Sequence, residues 1–290
     1  MNAFETFAKD GVVFLPGVID QRTLAELESC FEWSLANPTP SANGFYVDTG
    51  TTFYQDLCNP GASQRYRKVL SDSPVADIVS DLWQSDDVWF LYEQIFVKEG
   101  GEVRRTPWHQ DTPYLALDGR EVAVMWINFA PVTASESLEF VRGSHVGTLF
   151  DGSAFDPNDD TLPVFGHGLP RLPDIESDRE NYDIVSFAVE PGDVVVFHPS
   201  MLHGGAPTRA GSRRRTLSLR FFGRDAVYAE RPDPAPAPLV DGLHATLHAG
   251  DPFRHPAFPR LRPTPAGFDD VPQSLGGHSV SLQSQMQADS

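Results

Sequence analysis

A histidine and an aspartate stand two positions apart in PWHQDTPY, residues 107–114, a stretch that reads as extended chain. In a strand, residues i and i+2 project from the same face, so His109 and Asp111 would present an imidazole and a carboxylate side by side. That is a sound start for a metal site. It is also a cheap pattern: nine histidines in an Asp-rich chain make a chance His-X-Asp unremarkable, so partners are needed elsewhere. They come in EPGDVVVFHPSMLHGGAPTRAGSRRRTLSLRFFG, residues 190–223. Pro191-Gly192-Asp193 reads as a tight turn and Val194 to His198 as a buried strand. His203 sits at the next bend beside Gly204-Gly205, which allow close backbone approach. Two imidazoles and one carboxylate on one face of a metal leave open coordination positions and suit a non-haem Fe(II) centre.

Taken alone, His203 reads as a turn histidine bonded to backbone. Arg214 changes that reading, because it begins RTLSLRFF, where a strand hairpin would bring it back alongside the metal. Its planar guanidinium can grip a carboxylate through two parallel hydrogen bonds. Thr216, two residues on, would share its face.

Such groups need rigid strands to hold them, and the sequence supplies many. VWFLYEQIFVK, VAVMWINFAPV, LEFVRGSH, IVSFAVEPGDVVVFHP and TLSLRFFG are short runs of β-branched and aromatic residues between Gly, Pro and polar turns. They predict a sandwich or barrel. Ahead of them, KDGVVFLPGVID reads as a strand ending in Asp20, a helix N-cap, after which Leu24, Leu27, Phe31 and Leu35 recur at helical spacing. Ser73-Pro74 starts a second helix, with Val75, Ile78, Val79 and Leu82 on its buried face. The expected organisation is one domain over residues 1–272, with the strand core at about 88–225 and an acidic, lid-like insert at 150–182. Residues 273–290 read as a flexible tail.

Composition narrows the partners. Lys and Arg total 22 against 40 Asp and Glu, and a formal charge of −18 repels phosphate backbones and anionic lipid, so nucleic acid and membrane surfaces are not expected. The exceptions are Arg104-Arg105 and Arg213-Arg214-Arg215, which concentrate positive potential where an anion could be received. Cys30 and Cys58 lack any ligand spacing, so neither a disulfide scaffold nor a zinc ribbon is expected. No apolar run approaches the roughly 18 residues of a membrane span, and the first residues are acidic where a signal peptide would be basic. A cytoplasmic protein is the expectation.

The ordered set of WHQD, Trp126, FVRGSH at 140–145, PGDVVVFHPSMLHGG and RRTLSLRF resembles the phytanoyl-CoA dioxygenase family of Fe(II)- and 2-oxoglutarate-dependent oxygenases, over most of the chain. KDGVVFLPGVID and EQIFVKEGG also look like family strands. The resemblance implies a mainly β architecture with flanking helices: a double-stranded β-helix, the jelly-roll or cupin fold, with the metal inside its mouth. It implies Fe(II) on His109, Asp111 and His203, with 2-oxoglutarate and O2 as cosubstrates. Arg214 would pair with the distal carboxylate of 2-oxoglutarate, and Gln110, Trp126 and Thr216 would lie near it. Gln94, Trp108 and Tyr114 are candidate pocket walls. His198 matches the end of the strand before the ligand histidine, so His203 is preferred. Two departures, Arg142 where proline is usual and the missing glycine in SESLEF, concern a turn. Asp111 is intact, whereas related halogenases carry a small residue there, so the expected reaction is hydroxylation of a small organic molecule with release of succinate and CO2. The rival expectations are a zinc hydrolase on the same three ligands, which has no use for Arg214, and a noncatalytic cupin-like binding protein.

Overall fold

Capping chemistry opens the chain. In the computed structural model, which describes residues 2–45, 52–99, 105–156, 158–205, 208–209, 211–233 and 235–263, Asn2 accepts from the Glu5 N–H at 2.8 Å. The Glu5 carboxylate accepts in return from the Asn2 N–H, and this capping box starts α1 (Ala3–Asp10). Arg104 and the tail at 273–290 lie outside the described residues. After β1 (Val12–Leu15), Asp20 accepts from Thr23 N–H at 2.7 Å and α2 (Gln21–Ala36) follows as predicted. The strands β2 (Asn43–Phe45) and β3 (Thr52–Leu57) precede α3 (Ala62–Asp72). The helix predicted after Ser73-Pro74 is α4 (Val75–Trp83), which buries Val75, Val79 and Leu82.

The remaining strands are β4 (Val88–Glu99), β5 (Thr106–His109), β6 (Leu117–Asp118), β7 (Val122–Asn128), β8 (Leu138–Val141), β9 (Ile184–Ser186) and β10 (Val194–Phe197). They continue as β11 (His203–Gly205), β12 (Arg213–Phe222), β13 (Val227–Tyr228) and, after the short helix α5 (Leu243–Thr246), β14 (Arg260–Arg262). An eight-stranded antiparallel sheet runs β1-β10-β7-β12-β4-β3-β2, with β14 also on β4, and a smaller sheet runs β5-β11-β8-β9. This is the mainly β jelly-roll architecture with helices on one side.

Alternation along the strands decides what enters the barrel. Leu217, Leu219 and Phe221 of β12 join Ile95, Val97, Met125 and Ile127 in the core under the helices. Their neighbours Arg214, Thr216, Ser218 and Arg220 therefore face the other way, toward the space between the sheets. There, Val124, Trp126, Val195 and Phe197 of the large sheet meet Phe140 of the small one. The insert at 150–182 packs on the outer side of the small sheet, where Leu172 and Ile175 are buried with Trp108 and Leu202. The proline-rich chain after Arg231 folds back, burying Leu243, Phe253 and Phe258 against Phe222.

Candidate metal centre

Strands β5 and β11 run antiparallel with His203 directly opposite His109, their ring centroids 4.3 Å apart. The two strands can lie this close because residues 204 and 205 are glycines: a Cβ on Gly204 would stand 3.0 Å from the Thr106 carbonyl oxygen. Asp111 follows β5 at the start of a short 3-10 turn, Thr112–Tyr114. It is pinned there because its own N–H and that of Thr112 both donate to the Pro199 carbonyl, at 2.7 and 3.1 Å. Asp111 Oδ1 lies 3.5 Å from His109 Nε2 and 3.8 Å from His203 Nε2. One ligand atom from each of the three buried residues falls within 4.8 Å of the others.

Hydrogen bonds fix the imidazoles in the state a metal needs. His109 Nδ1 lies 2.8 Å from the Pro107 carbonyl and His203 Nδ1 lies 2.9 Å from the Met201 carbonyl. A carbonyl only accepts, so each Nδ1 carries the proton and each Nε2 offers its lone pair to the centre. Burial, reinforced by the neighbouring His109, lowers the His203 pKa to about 4, so it is neutral at physiological pH. For Asp111, burial would raise the carboxyl. The Arg220 guanidinium, hydrogen-bonded to the carboxylate, outweighs it and holds the group well below the usual carboxylate range. Two neutral imidazoles and one carboxylate on adjoining backbone make a donor set that fits a divalent transition metal with positions left open.

The outer oxygen of Asp111 accepts from Arg220 Nη2 at 2.9 Å, and Arg220 also lies over the Tyr92 ring, 4.8 Å from its centroid. Arg220 lies in RRTLSLRF, where the sequence reading gave it no role; its even spacing from Arg214 along β12 puts both on the interior face. Arg214 is half-buried; it donates to the Glu136 carbonyl, and desolvation pulls its pKa down to about 10, still protonated at neutral pH. Thr216 Oγ1 donates to Asn128 Oδ1 at 2.7 Å, and the Asn128 amide nitrogen is buried without a partner among the described residues. Trp126 and Gln94 flank Ser218 from the two adjoining strands, and Gln94 Nε2 contacts Gln55 Oε1 at 3.4 Å.

Other candidates sit elsewhere. Both N–H groups of the Gln110 amide are used, on the Thr148 and Ser200 carbonyls at 3.1 and 2.7 Å, and its oxygen accepts from Phe150 N–H. Gln110 thus ties the start of the insert to the turn before His203 rather than turning toward a cosubstrate. Trp108 points to the outer face of the small sheet, opposite His109; its indole donates to Glu176 at 2.9 Å. It is a floor for the insert and not a pocket wall. Tyr114 does stand at the centre, 6.4 Å from the His109 ring, and donates to the Ser153 carbonyl at 2.7 Å. Beside it the insert places Phe155, edge-on to His109 at 5.2 Å. Phe155 has φ of 55°, a left-handed conformation costly for a residue with a Cβ, so its position is bought by the surrounding contacts. His198 is engaged on both sides, by Gly119 O at 2.9 Å and Ser200 N–H at 3.1 Å, and offers no lone pair to a metal.

Comparison with known proteins gives a consistent picture. The family model described as phytanoyl-CoA dioxygenase matches residues 7–216. Human peroxisomal phytanoyl-CoA dioxygenase is 27% identical over 134 residues, covering 45% of this chain and 37% of that protein. The chain thus spans well under half the length of that relative. The 1-deoxypentalenic acid 11-beta-hydroxylase of Streptomyces arenae is 23% identical over 224 residues, covering 69% and 72% of the two chains. Among solved structures, the non-heme alpha ketoglutarate dependent epimerase SnoN from nogalamycin biosynthesis superposes with a TM-score of 0.66 at 19% identity, covering 93% of this chain and 97% of that one. SnoN has also been solved with Fe3+, alpha ketoglutarate and nogalamycin RO. At that identity the likeness establishes the fold.

Proposed function

Because this chain belongs to the phytanoyl-CoA dioxygenase family, we propose that it is an Fe(II)- and 2-oxoglutarate-dependent dioxygenase that hydroxylates a small organic molecule, releasing succinate and CO2. The observation that carries the reading is the convergence of His109, Asp111 and His203, with both Nε2 lone pairs turned inward. In this reading these three residues hold the iron. Bound iron would activate O2, the oxidant, with 2-oxoglutarate as its co-reductant, to hydroxylate a C–H bond that no side chain could attack. The chain's own part is positioning. Arg214 anchors the far carboxylate of the diacid, Arg220 keeps Asp111 ionised and aimed, and Tyr114 with Phe155 forms an apolar wall over His109.

A wall of that kind favours a substrate presenting hydrocarbon to the iron. The acidic surface speaks against a CoA ester as substrate, and the hydroxylase name of the Streptomyces relative supports a small natural-product-like acid or neutral compound. No helix among the described residues is long and apolar enough to cross a membrane, and a cytoplasmic location remains our proposal. A zinc hydrolase is less well supported: it needs a general base beside the bound water and has no use for Arg214, and the outer Asp111 oxygen is already occupied by Arg220.

The test is a turnover assay with Fe(II), ascorbate, O2 and 2-oxoglutarate. We expect succinate and CO2 in equal amounts, even without the substrate at a slow uncoupled rate, and none from His203→Ala. Zinc-dependent ester or amide hydrolysis without any 2-oxoglutarate consumption would reject the oxygenase.

A further inference from the structure

The large sheet is wider than the small one laid over it. Lys98 on β4 donates to Thr106 Oγ1 on β5 at 3.3 Å, so β5, the edge strand of the small sheet, lies over β4. Strands β3 and β2 continue the large sheet past that edge, with no strand opposite them among the described residues. Burial follows the cover. On the interior face Trp126, Thr216 and Ser218 of β7 and β12 are buried, while Gln94 and Phe96 of β4 and Phe53, Gln55 and Leu57 of β3 are only half-buried. These five side chains share one face, since Gln55 stands opposite Phe96 and Leu57 opposite Gln94.

The overhang is level with the metal centre. Thr106 meets β4 at Lys98, and Asp111 meets β12 at Arg220, which pairs in register with Tyr92 of β4. His109 lies between Thr106 and Asp111 just as Gln94 and Phe96 lie between Tyr92 and Lys98, so these two residues flank the centre. The half-buried face has two parts. Phe53 and Phe96 stack with centroids 6.3 Å apart and offer an apolar surface, bounded on the Arg214 side by the Lys98 ammonium, 4.2 Å from the Phe53 centroid. Beside them Gln94 Nε2 donates to Gln55 Oε1 at 3.4 Å, and neither side chain makes another hydrogen bond among the described residues. An amide pair joined by one N–H···O bond leaves one NH2 and one carbonyl oxygen unused, whichever of the two donates. A donor beside an acceptor matches a hydroxyl, which both gives and takes a hydrogen bond. A carboxylate only accepts, and would set its lone pairs against the spare carbonyl oxygen.

We propose, resting on the oxygenase reading, that this overhang is the substrate platform: Gln55 and Gln94 hold a hydroxyl of a neutral organic molecule whose flat hydrocarbon face lies on Phe53 and Phe96. The substrate class narrows accordingly, to a neutral hydroxylated ring system.

The test uses the full chain with Fe(II) and 2-oxoglutarate under anaerobic conditions and follows the visible charge-transfer band of the chelate, which shifts when a compound settles beside the metal. The probes are coumarins, flavones and anthraquinones, each ring in hydroxylated, unsubstituted and carboxylated form, at about pH 6, where phenolic hydroxyls are neutral. We expect hydroxylated members to shift the band at the lowest concentrations. In Gln55→Leu and in Gln94→Leu their affinity should fall roughly 10-fold, to that of the unsubstituted ring, while the 2-oxoglutarate midpoint without probe stays within about 2-fold of the parent. Phe53→Ala should weaken hydroxylated and unsubstituted rings alike. Equal or tighter binding of the carboxylated rings, hydroxylated rings indifferent to both glutamine substitutions, or no hydroxylated ring that moves the band would overturn the platform and leave the oxygenase reading standing. So would a 2-oxoglutarate midpoint that moves with probe affinity, the mark of a merely structural role. A parent protein with no band at all would remove both.

Discussion

Asp111 carries the densest electrostatics in the molecule, since one oxygen faces two imidazoles and the other accepts from Arg220. Removing one member of a buried ion pair strands the other, so Arg220→Met should lower apo stability by about 3–5 kcal/mol in urea unfolding. Co(II) should restore much of that, because a bound cation would take over the compensation of Asp111. A loss under about 1 kcal/mol, or no recovery with metal, would contradict the pairing. His203 makes a second prediction. Its folded pKa, about 4, lies below the ordinary 6.5, so its contribution to apo stability is complete above pH 6.5 and is lost as pH falls toward 4. Co(II) affinity should therefore fall as pH drops toward 4, where the metal must displace a proton from His203. His109 and Asp111 were legible as a pair but not by the strand geometry expected, since β5 ends at His109 and the turn that follows brings Asp111 beside it; Arg214 was legible because it opens a strand after a hairpin. Arg220 was not, because a lone charge in an apolar strand reads as the solvent side until the sheet pairing is known.

At the scale of elements, strand β4 presents opposite problems on its two faces: Lys98 and Gln94 look into the barrel, while Glu93 is buried beneath the helices. Glu93 accepts from the Asn59 N–H at 3.2 Å, but its second oxygen has no partner among the described residues, and burial pushes its pKa up to about 8. A folded value above the ordinary 4.5 gives stability that is complete below pH 4.5 and is lost as pH rises through about 8. Glu93→Gln should therefore be more stable than the parent at pH 9, on the order of 1 kcal/mol or more, with the gap closing by about pH 5. A pH-independent difference between the two in thermal unfolding would reject this. The Gln110 tie is a separate element-level device. Gln110→Ala should speed amide exchange at residues 148–150 and cost about 1–3 kcal/mol, with Co(II) affinity nearly unchanged. Strands and capped helices such as α2 were readable because periodicity and caps coincide. The helix α1 is too short for a period to show, and α3, ASQRYRKVLSD, hides a small buried face of Tyr66, Val69 and Leu70 among polar residues.

The whole molecule sets an acidic exterior around a barrel whose interior end carries Lys98 and Arg214, so the positive potential is directed inward. Many short strands made a sandwich or barrel legible, the jelly roll itself was implied by the family resemblance, and the matching of β5 to β11 was foreseen only as a requirement that His109 and His203 meet. What joins them is a register, His203 opposite His109, and registers are set by turns and packing that a single sequence does not display. The insert at 150–182 was expected to be lid-like; in the fold its base rests on Trp108 and its tip brings Phe155 to His109. The central claim is that three side chains from distant parts of the chain form one iron site open to a chelating diacid. Anaerobic addition of Fe(II) and then 2-oxoglutarate to the full chain tests it most directly. The account predicts a visible charge-transfer band in the parent protein that is absent from His109→Ala and from His203→Ala. No band in folded parent protein, or a band that survives both substitutions, would contradict it.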